Sequence, residues 1–149
     1  MKLFTIGFTK KTAREFFTLL KNNQINKVVD VRLNNSSQLA GFAKGKDIEY
    51  ILEEFCKISY IHATELAPNK EILNDYKNKK INWQQYESLF NKLLVDRNIK
   101  NKLDRDFNNN FDGICLLCSE ETADNCHRRL VAEYIKRNYP DLGINITHL

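Results

Sequence analysis

The chain has 149 residues and a mass of 17.5 kDa, enough to bury one sizeable core and too little for two. Hydrophobic residues make up 42% and charged residues 28%, with two prolines and five glycines, which excludes a disordered linker. No stretch approaches 18 consecutive apolar residues, which excludes a membrane span, and a net charge of +4 permits a polyanionic partner without requiring one, because lysine and asparagine are abundant throughout.

The first residues, MKLFTIGFTKK, carry too short an apolar run for a signal peptide, so the expected location is cytoplasmic. In that compartment Cys56, Cys115, Cys118 and Cys126 stay reduced, and packing, metal binding or catalysis are their expected uses. Leu3 to Ile6 reads as a strand ended by Gly7. Thr12 and Glu15 form a capping box before the helical pattern of Ala13, Phe16, Phe17, Leu19 and Leu20. The Gly7 turn and the hydroxyl of Thr9 lie beside a helix start, a setting that suits an anion as well as a plain strand-to-helix turn. Lys27 to Val31 is a second strand, and side-chain alternation puts Asp30 and Arg32 on one face. They form either a structural ion pair or a pair that holds the arginine for an anionic ligand.

The segment LNNSSQLAGFAKGKD is polar and holds two glycines, so it is read as a loop over the carboxyl edge of the sheet. Asp47 is expected to cap the next helix, whose apolar face is Ile48, Ile51, Leu52 and Phe55, with Cys56 packed beside it. Ser59 to His62 is a third strand, and His62 at its end is within reach of a site there. Pro68 opens a helical stretch through Tyr76, and Asn82 with Gln85 caps a longer helix that carries Trp83, Tyr86, Phe90, Leu93 and Leu94. That aromatic stripe is read as core rather than as a base-stacking platform. Asp106 to Asn110 is a loop, Gly113 to Cys118 a buried central strand, the next stretch a helix from near Asn125, and Gly143 to Leu149 a final strand. Five strands alternating with helices predict a single α/β domain over residues 1–149, a three-layer sandwich around a mostly parallel sheet.

Chemistry concentrates after the central strand. Cys118, Glu120, Cys126, His127 and Arg128 fall within eleven residues at one strand-to-helix junction, where an open α/β sheet normally places its ligand. Cys115, Cys118, Cys126 and His127 suggest zinc by spacing. An odd separation along a strand, however, sends Cys115 and Cys118 to opposite faces, so no metal is assigned and Cys115 is read as core. His127, one turn before Val131, should face the sheet near Cys118. A histidine and a helix N-terminus favour a thiolate, which makes Cys118 the candidate nucleophile and Cys126 its rival. Arg128 and Arg129 place positive charge at a helix start, a local conflict that an anion would relieve. No GxGxxG, GxxxxGK[ST] or GxSxG is present, and no cofactor is expected.

At these residues the chain resembles the domain of unknown function 488 family. The resemblance is carried by Thr5-Ile6-Gly7, Asp30-Val31-Arg32, Tyr60-Ile61-His62 with Glu65-Leu66, and Cys118-Ser119-Glu120 followed by Cys126-His127-Arg128. It spans nearly the whole chain and implies a single α/β domain whose motifs gather near one sheet edge. It draws attention to Arg32, Cys118, Glu120, Cys126, His127 and Arg128, and supplies no reaction. Many members follow Asp-Val-Arg with a proline and a Ser-Arg pair, where this chain has Asn34, Asn35 and Ser37-Gln38.

The resulting expectation is an enzyme acting on an anionic substrate, a nucleotide or nucleic-acid component. Cys118, Glu120, Cys126 and His127 would be catalytic, and Gly7, Thr9, Arg32, His62 and Arg128 would bind substrate. The alternative is a non-catalytic module that binds nucleic acid or a phosphate ligand through Arg32, Lys44, Lys46 and Arg128. A third reading has the motif residues bracing the turn through buried hydrogen bonds. Oligomeric state is not legible.

Overall fold

Burial along each strand sorts the sheet into centre and edges. β4 (Ile114–Cys118) is buried at every residue and β1 (Lys2–Gly7) at all but its first. β2 (Lys27–Asp30) is buried at its last three residues, whereas β3 (Ser59–His62) and β5 (Asn145–His148) are mostly exposed. Strands covered on both faces read as near-continuous apolar runs, and ICLLC is the clearest of these. In the computed structural model, which describes residues 1–36 and 40–149, the five strands pair in parallel throughout, in the order β3-β2-β4-β1-β5. Ser37 and Gln38 lie outside the described residues.

One face of the sheet is covered by α1 (Ala13–Asn22) and α2 (Gly45–Tyr50), which runs on as π-helical turns over Ile51–Cys56. The other is covered by α3 (Lys70–Lys77), α4 (Trp83–Asp96), α5 (Ile99–Phe107) and α6 (His127–Asn138). The chain is therefore the expected α/β three-layer sandwich. Two separate cores result, and they divide β4 by parity. Cys115 and Leu117 pack with Phe16, Leu20, Ile48 and Leu52, while Ile114, Leu116 and Cys118 pack with Phe90, Leu94, Leu130 and Val131. Both expected capping boxes form, Thr12 with Glu15 on α1 and Asn82 with Gln85 on α4. Among the described residues no helix is long and apolar enough to cross a membrane.

Several boundaries differ from the sequence reading. Asp47 does not cap α2: the helix starts two residues earlier, where the Gly45 N–H donates to the Asn35 carbonyl at 2.7 Å, and Asp47 sits in its first turn. Widening into π-helical turns changes the period, so Phe55 turns out to solvent at 69% exposure instead of joining Ile48 and Leu52. Asn69 rather than Pro68 opens α3, its side chain accepting the Ile72 N–H at 2.9 Å. α5 was not anticipated. Asn98, at φ 54°, breaks the chain after α4, and Ile99 and Leu103 then bury one turn apart. Asp106 and Phe107, expected in a loop, close that helix before Asn108 at φ 46°. α6 begins at His127 with Cys126 at its N-cap, later than Asn125.

The topology makes a crevice. β2 and β4 are neighbours, yet the chain leaves the carboxyl end of β2 for α2 on one face and that of β4 for α6 on the other. Such a divergence opens a cleft outside the strand ends.

Candidate active site

A cleft of about 300 Å³ lies at that divergence, with Arg32 after β2 and Cys118, Glu120, Cys126 and His127 after β4 in its wall. Cys118 is the last residue of β4, paired in register with Gly7. The Cys126 thiol donates to its sulfur. Together with the backbone N–H groups of Ser119 and Glu120 and the charge of Arg128, this holds the Cys118 thiol below its ordinary value of 9.0 despite burial. The same hydrogen bond, reinforced by burial, pushes the Cys126 thiol up. The two thiols are therefore coupled, and the arrangement favours loss of the first proton from Cys118 over loss from Cys126.

His127, the first residue of α6, faces the sheet as expected. Its Nε2 donates to the Val31 carbonyl at 2.7 Å, which leaves the Nδ1 lone pair free. The Cys118 sulfur is 3.8 Å from both ring nitrogens. The Phe90 ring meets the imidazole edge-on at 5.7 Å and fixes its plane from the core side.

Asp30 and Arg32 share a face as the alternation required. Nε and Nη2 of Arg32 donate to the two Asp30 oxygens at 2.8 and 2.6 Å, and Nη2 also to the Ala43 carbonyl at 2.8 Å. The Tyr60 hydroxyl donates to Asp30 at 2.7 Å and completes a buried network. The remaining nitrogen, Nη1 of Arg32, is the only buried side-chain nitrogen or oxygen among the described residues without a hydrogen-bond partner. A guanidinium this well anchored, with one donor unspent in a cleft wall, is poised for an acceptor that enters from outside.

Other expected site residues lie elsewhere. Arg128 is fully buried, and its guanidinium folds back on the carbonyls of Glu120 at 2.6 Å and Glu121 at 3.3 Å, on the Thr5 hydroxyl at 3.3 Å and on the Cys126 sulfur at 3.5 Å. Those acceptors, and the pairing of Arg129 with Glu87 and Glu133, relieve the charge conflict at the helix start from within the chain. Gly7 makes room for this loop, whose Glu120 carbonyl lies where a Cβ would be. The N–H of Thr9 is spent on the Ser119 carbonyl at 3.1 Å. His62 Nε2 lies 2.7 Å from the Arg32 carbonyl, and His62 lines a separate groove of about 730 Å³ with Lys44 and Lys46. A carbonyl can only accept, so His62 Nε2 is the donor. Glu120 is exposed in the thiol cleft. Cys115 belongs to the other core, where burial pushes its thiol up.

Sequence reasoning missed one wall. Tyr76, Trp83 and Tyr86 line the same cleft as the thiols, with Trp83 stacked on Tyr86 at 4.8 Å and 20°. Tyr86 and Phe90 are core as expected, but Tyr76 and Trp83 are only half-buried. The signal was the i, i+3 placement of Trp83 and Tyr86 in the first turn of α4, which fixes their stacking but not what they face.

No curated protein and no solved structure is significantly similar to this chain. The family model described as Domain of unknown function DUF488 matches residues 12–135, which takes in Asp30-Val31-Arg32, Cys118-Ser119-Glu120 and Cys126-His127-Arg128, and the chain belongs to that family.

Proposed function

We propose that the chain is an enzyme acting on an anionic substrate, a nucleotide or a nucleic-acid component, through the Cys118 thiolate. The observation that carries this reading is the buried Nη1 of Arg32, without a hydrogen-bond partner, on a residue that lines the same cleft as Cys118. A fixed cation beside a thiolate draws in a negatively charged or strongly polarised group and meets the charge that develops when sulfur attacks it. In that attack sulfur bonds to an electrophilic carbon or phosphorus. The departing group leaves with the electron pair of the broken bond and takes the proton held by Cys126. Water then releases the product and gives its proton to His127 Nδ1, from which Cys126 is restored. Glu120 at the cleft mouth serves as a further acid or base. The aromatic wall of Tyr76 and Trp83 supports a planar base as the neutral part of the ligand.

Paired alkylation rates test this. At neutral pH iodoacetamide should modify Cys118 ahead of Cys56, although Cys56 is the less buried, because burial raises the Cys56 thiol. Anionic iodoacetate should gain on neutral iodoacetamide at Cys118, and Arg32→Lys, which keeps Asp30 paired but removes the forked donor, should cut that preference about three- to tenfold. Preferential modification of Cys56, or an unchanged iodoacetate preference in the variant, would overturn the reading.

A further inference from the structure

We infer that Cys118, Cys126 and His127 form a three-donor site for a thiophilic divalent ion of the zinc type, with its fourth coordination position open to the cleft. Removing Cys115 from the cysteine series leaves these three, and their donor atoms lie within 4.8 Å of one another. Bonds of about 2.3 Å to sulfur and about 2.0 Å to nitrogen require tetrahedral donor separations of about 3.5–3.8 Å. Cys118 Sγ and His127 Nδ1 stand 3.8 Å apart, the separation of two donors on one ion, and because the sulfur is equally far from Nε2, capture requires the imidazole and thiol to turn until Nδ1 is aimed at the ion.

The surroundings match what such a site requires. His127 donates its other ring nitrogen to the Val31 carbonyl, the outer contact that fixes tautomer and orientation in histidine ligands. Arg128 Nη1 lies 3.5 Å from the Cys126 sulfur and would stabilise negative charge there, while the protons that the ion displaces from the thiols pass to solvent. All three ligands are buried, at 5, 2 and 7% exposure, and all three line the cleft, so a bound ion would sit in a dry shell and present its open side to the ligand space. Two thiolates and an imidazole select a borderline-soft ion over magnesium or calcium, and two thiolate charges neutralise a dication. This inference goes beyond the thiol reading and does not rest on it. Ion and electrophile compete for one sulfur lone pair, so the loaded chain does not react as a thiol.

The test is titration of the purified, chelator-stripped full chain with Co²⁺ and Zn²⁺, monitored by absorbance and by elemental analysis after dialysis. One ion per chain, with thiolate-to-cobalt charge-transfer bands and tetrahedral d–d bands, is expected. Cys126→Ser and His127→Asn should each weaken binding about tenfold or more with unchanged far-UV circular dichroism, while Cys56→Ser should bind as the parent does. Zinc should also slow alkylation of Cys118 about tenfold or more. Absence of charge-transfer bands in the folded parent chain, or bands that survive Cys126→Ser and vanish in Cys56→Ser, would overturn the inference. The two proposals fail separately. Fast alkylation of Cys118 in a chain that binds no ion sinks the metal site alone, and ion binding in a chain whose stripped form alkylates Cys56 first sinks the thiol enzyme alone.

Discussion

Arg128 has no exposed surface, so its charge has to be met inside the protein. It reaches two carbonyls of the β4–α6 loop, a hydroxyl on β1 and the sulfur at the α6 N-cap, and in doing so clamps the loop down across the end of β1. Gly7 lies directly beneath. A Cβ there would fall 1.6 Å from the Glu120 carbonyl oxygen and 2.9 Å from Arg128 Nη1. The obstacle is backbone that a rotamer change cannot move. Gly7→Ala should therefore cost about 2–4 kcal/mol in urea unfolding, a large effect for one added methyl. It should also slow alkylation of Cys118, because the Ser119 and Glu120 N–H groups that favour the thiolate move with the loop. A loss within about 0.5 kcal/mol of zero would mean that the loop yields freely and that the glycine has some other use.

Helix starts in this fold differ: α1 and α4 carry boxes, α3 a single Asn69 cap, and α2, α5 and α6 no side-chain cap. α1 and α4, far from the thiols or reaching them only through a wall, begin with reciprocal capping boxes. α6 begins at Cys126 with no side-chain cap, although its backbone already has the extended conformation of a capping residue. A sulfur there is a poor acceptor for helical N–H groups, so the position leaves capping energy unused. Cys126→Ser should accordingly hold or raise stability, by about 0.5–1 kcal/mol, while weakening ion binding and altering thiol reactivity. A drop of more than about 1 kcal/mol in urea unfolding would show that packing of the sulfur outweighs the missing cap. Sequence separation explains what could be read from residues alone. ICLLC, Thr12 with Glu15, and Asn82 with Gln85 act through near neighbours in the chain, so strand and caps were legible. Asp30 and Arg32 were placed together by alternation, and Cys115 was removed from the site by the same parity. The inward fold of Arg128 was not legible, because its acceptors come from β1 and from a loop whose course depends on β1–β4 register. Nor was α5, which depends on one asparagine adopting a left-handed conformation, nor the side of α4 that faces the cleft, which is set by packing of α3 and α6.

At the scale of the whole molecule, acids kept neutral in different layers, Cys115, Tyr60 and Tyr139 among them, should make stability fall on the alkaline side. Cys115 is buried between the central strands and α1 and α2, and burial pushes its thiol above the ordinary 9.0. Tyr60 on the edge strand is raised above 10.0 by burial and then by Asp30, to which it donates. Tyr139, after α6, is raised by burial and then by Asp104, to which it donates at 2.6 Å. Each folded value is higher than the unfolded one, so each contribution is fully present below the unfolded value and is lost as pH rises toward the folded one. In that window the folded chain retains protons that the unfolded chain has released, and stability falls by about 1.4 kcal/mol per pH unit for each retained proton. The loss should begin near pH 9 with Cys115 and steepen near pH 10 as the tyrosines join, values at which the unfolded thiol and phenols ionise. Urea midpoints at about pH 8, 9.5 and 10.5, with a constant slope of free energy on urea, measure it. Tyr60→Phe lowers the midpoint at every pH by removing a donor from Asp30, but it should flatten the decline above pH 10 by one proton's worth. That second difference isolates titration from packing: a variant whose midpoint falls with pH as steeply as the parent's would show that Tyr60 ionises equally in both states and that the buried network around Asp30 does not hold its proton.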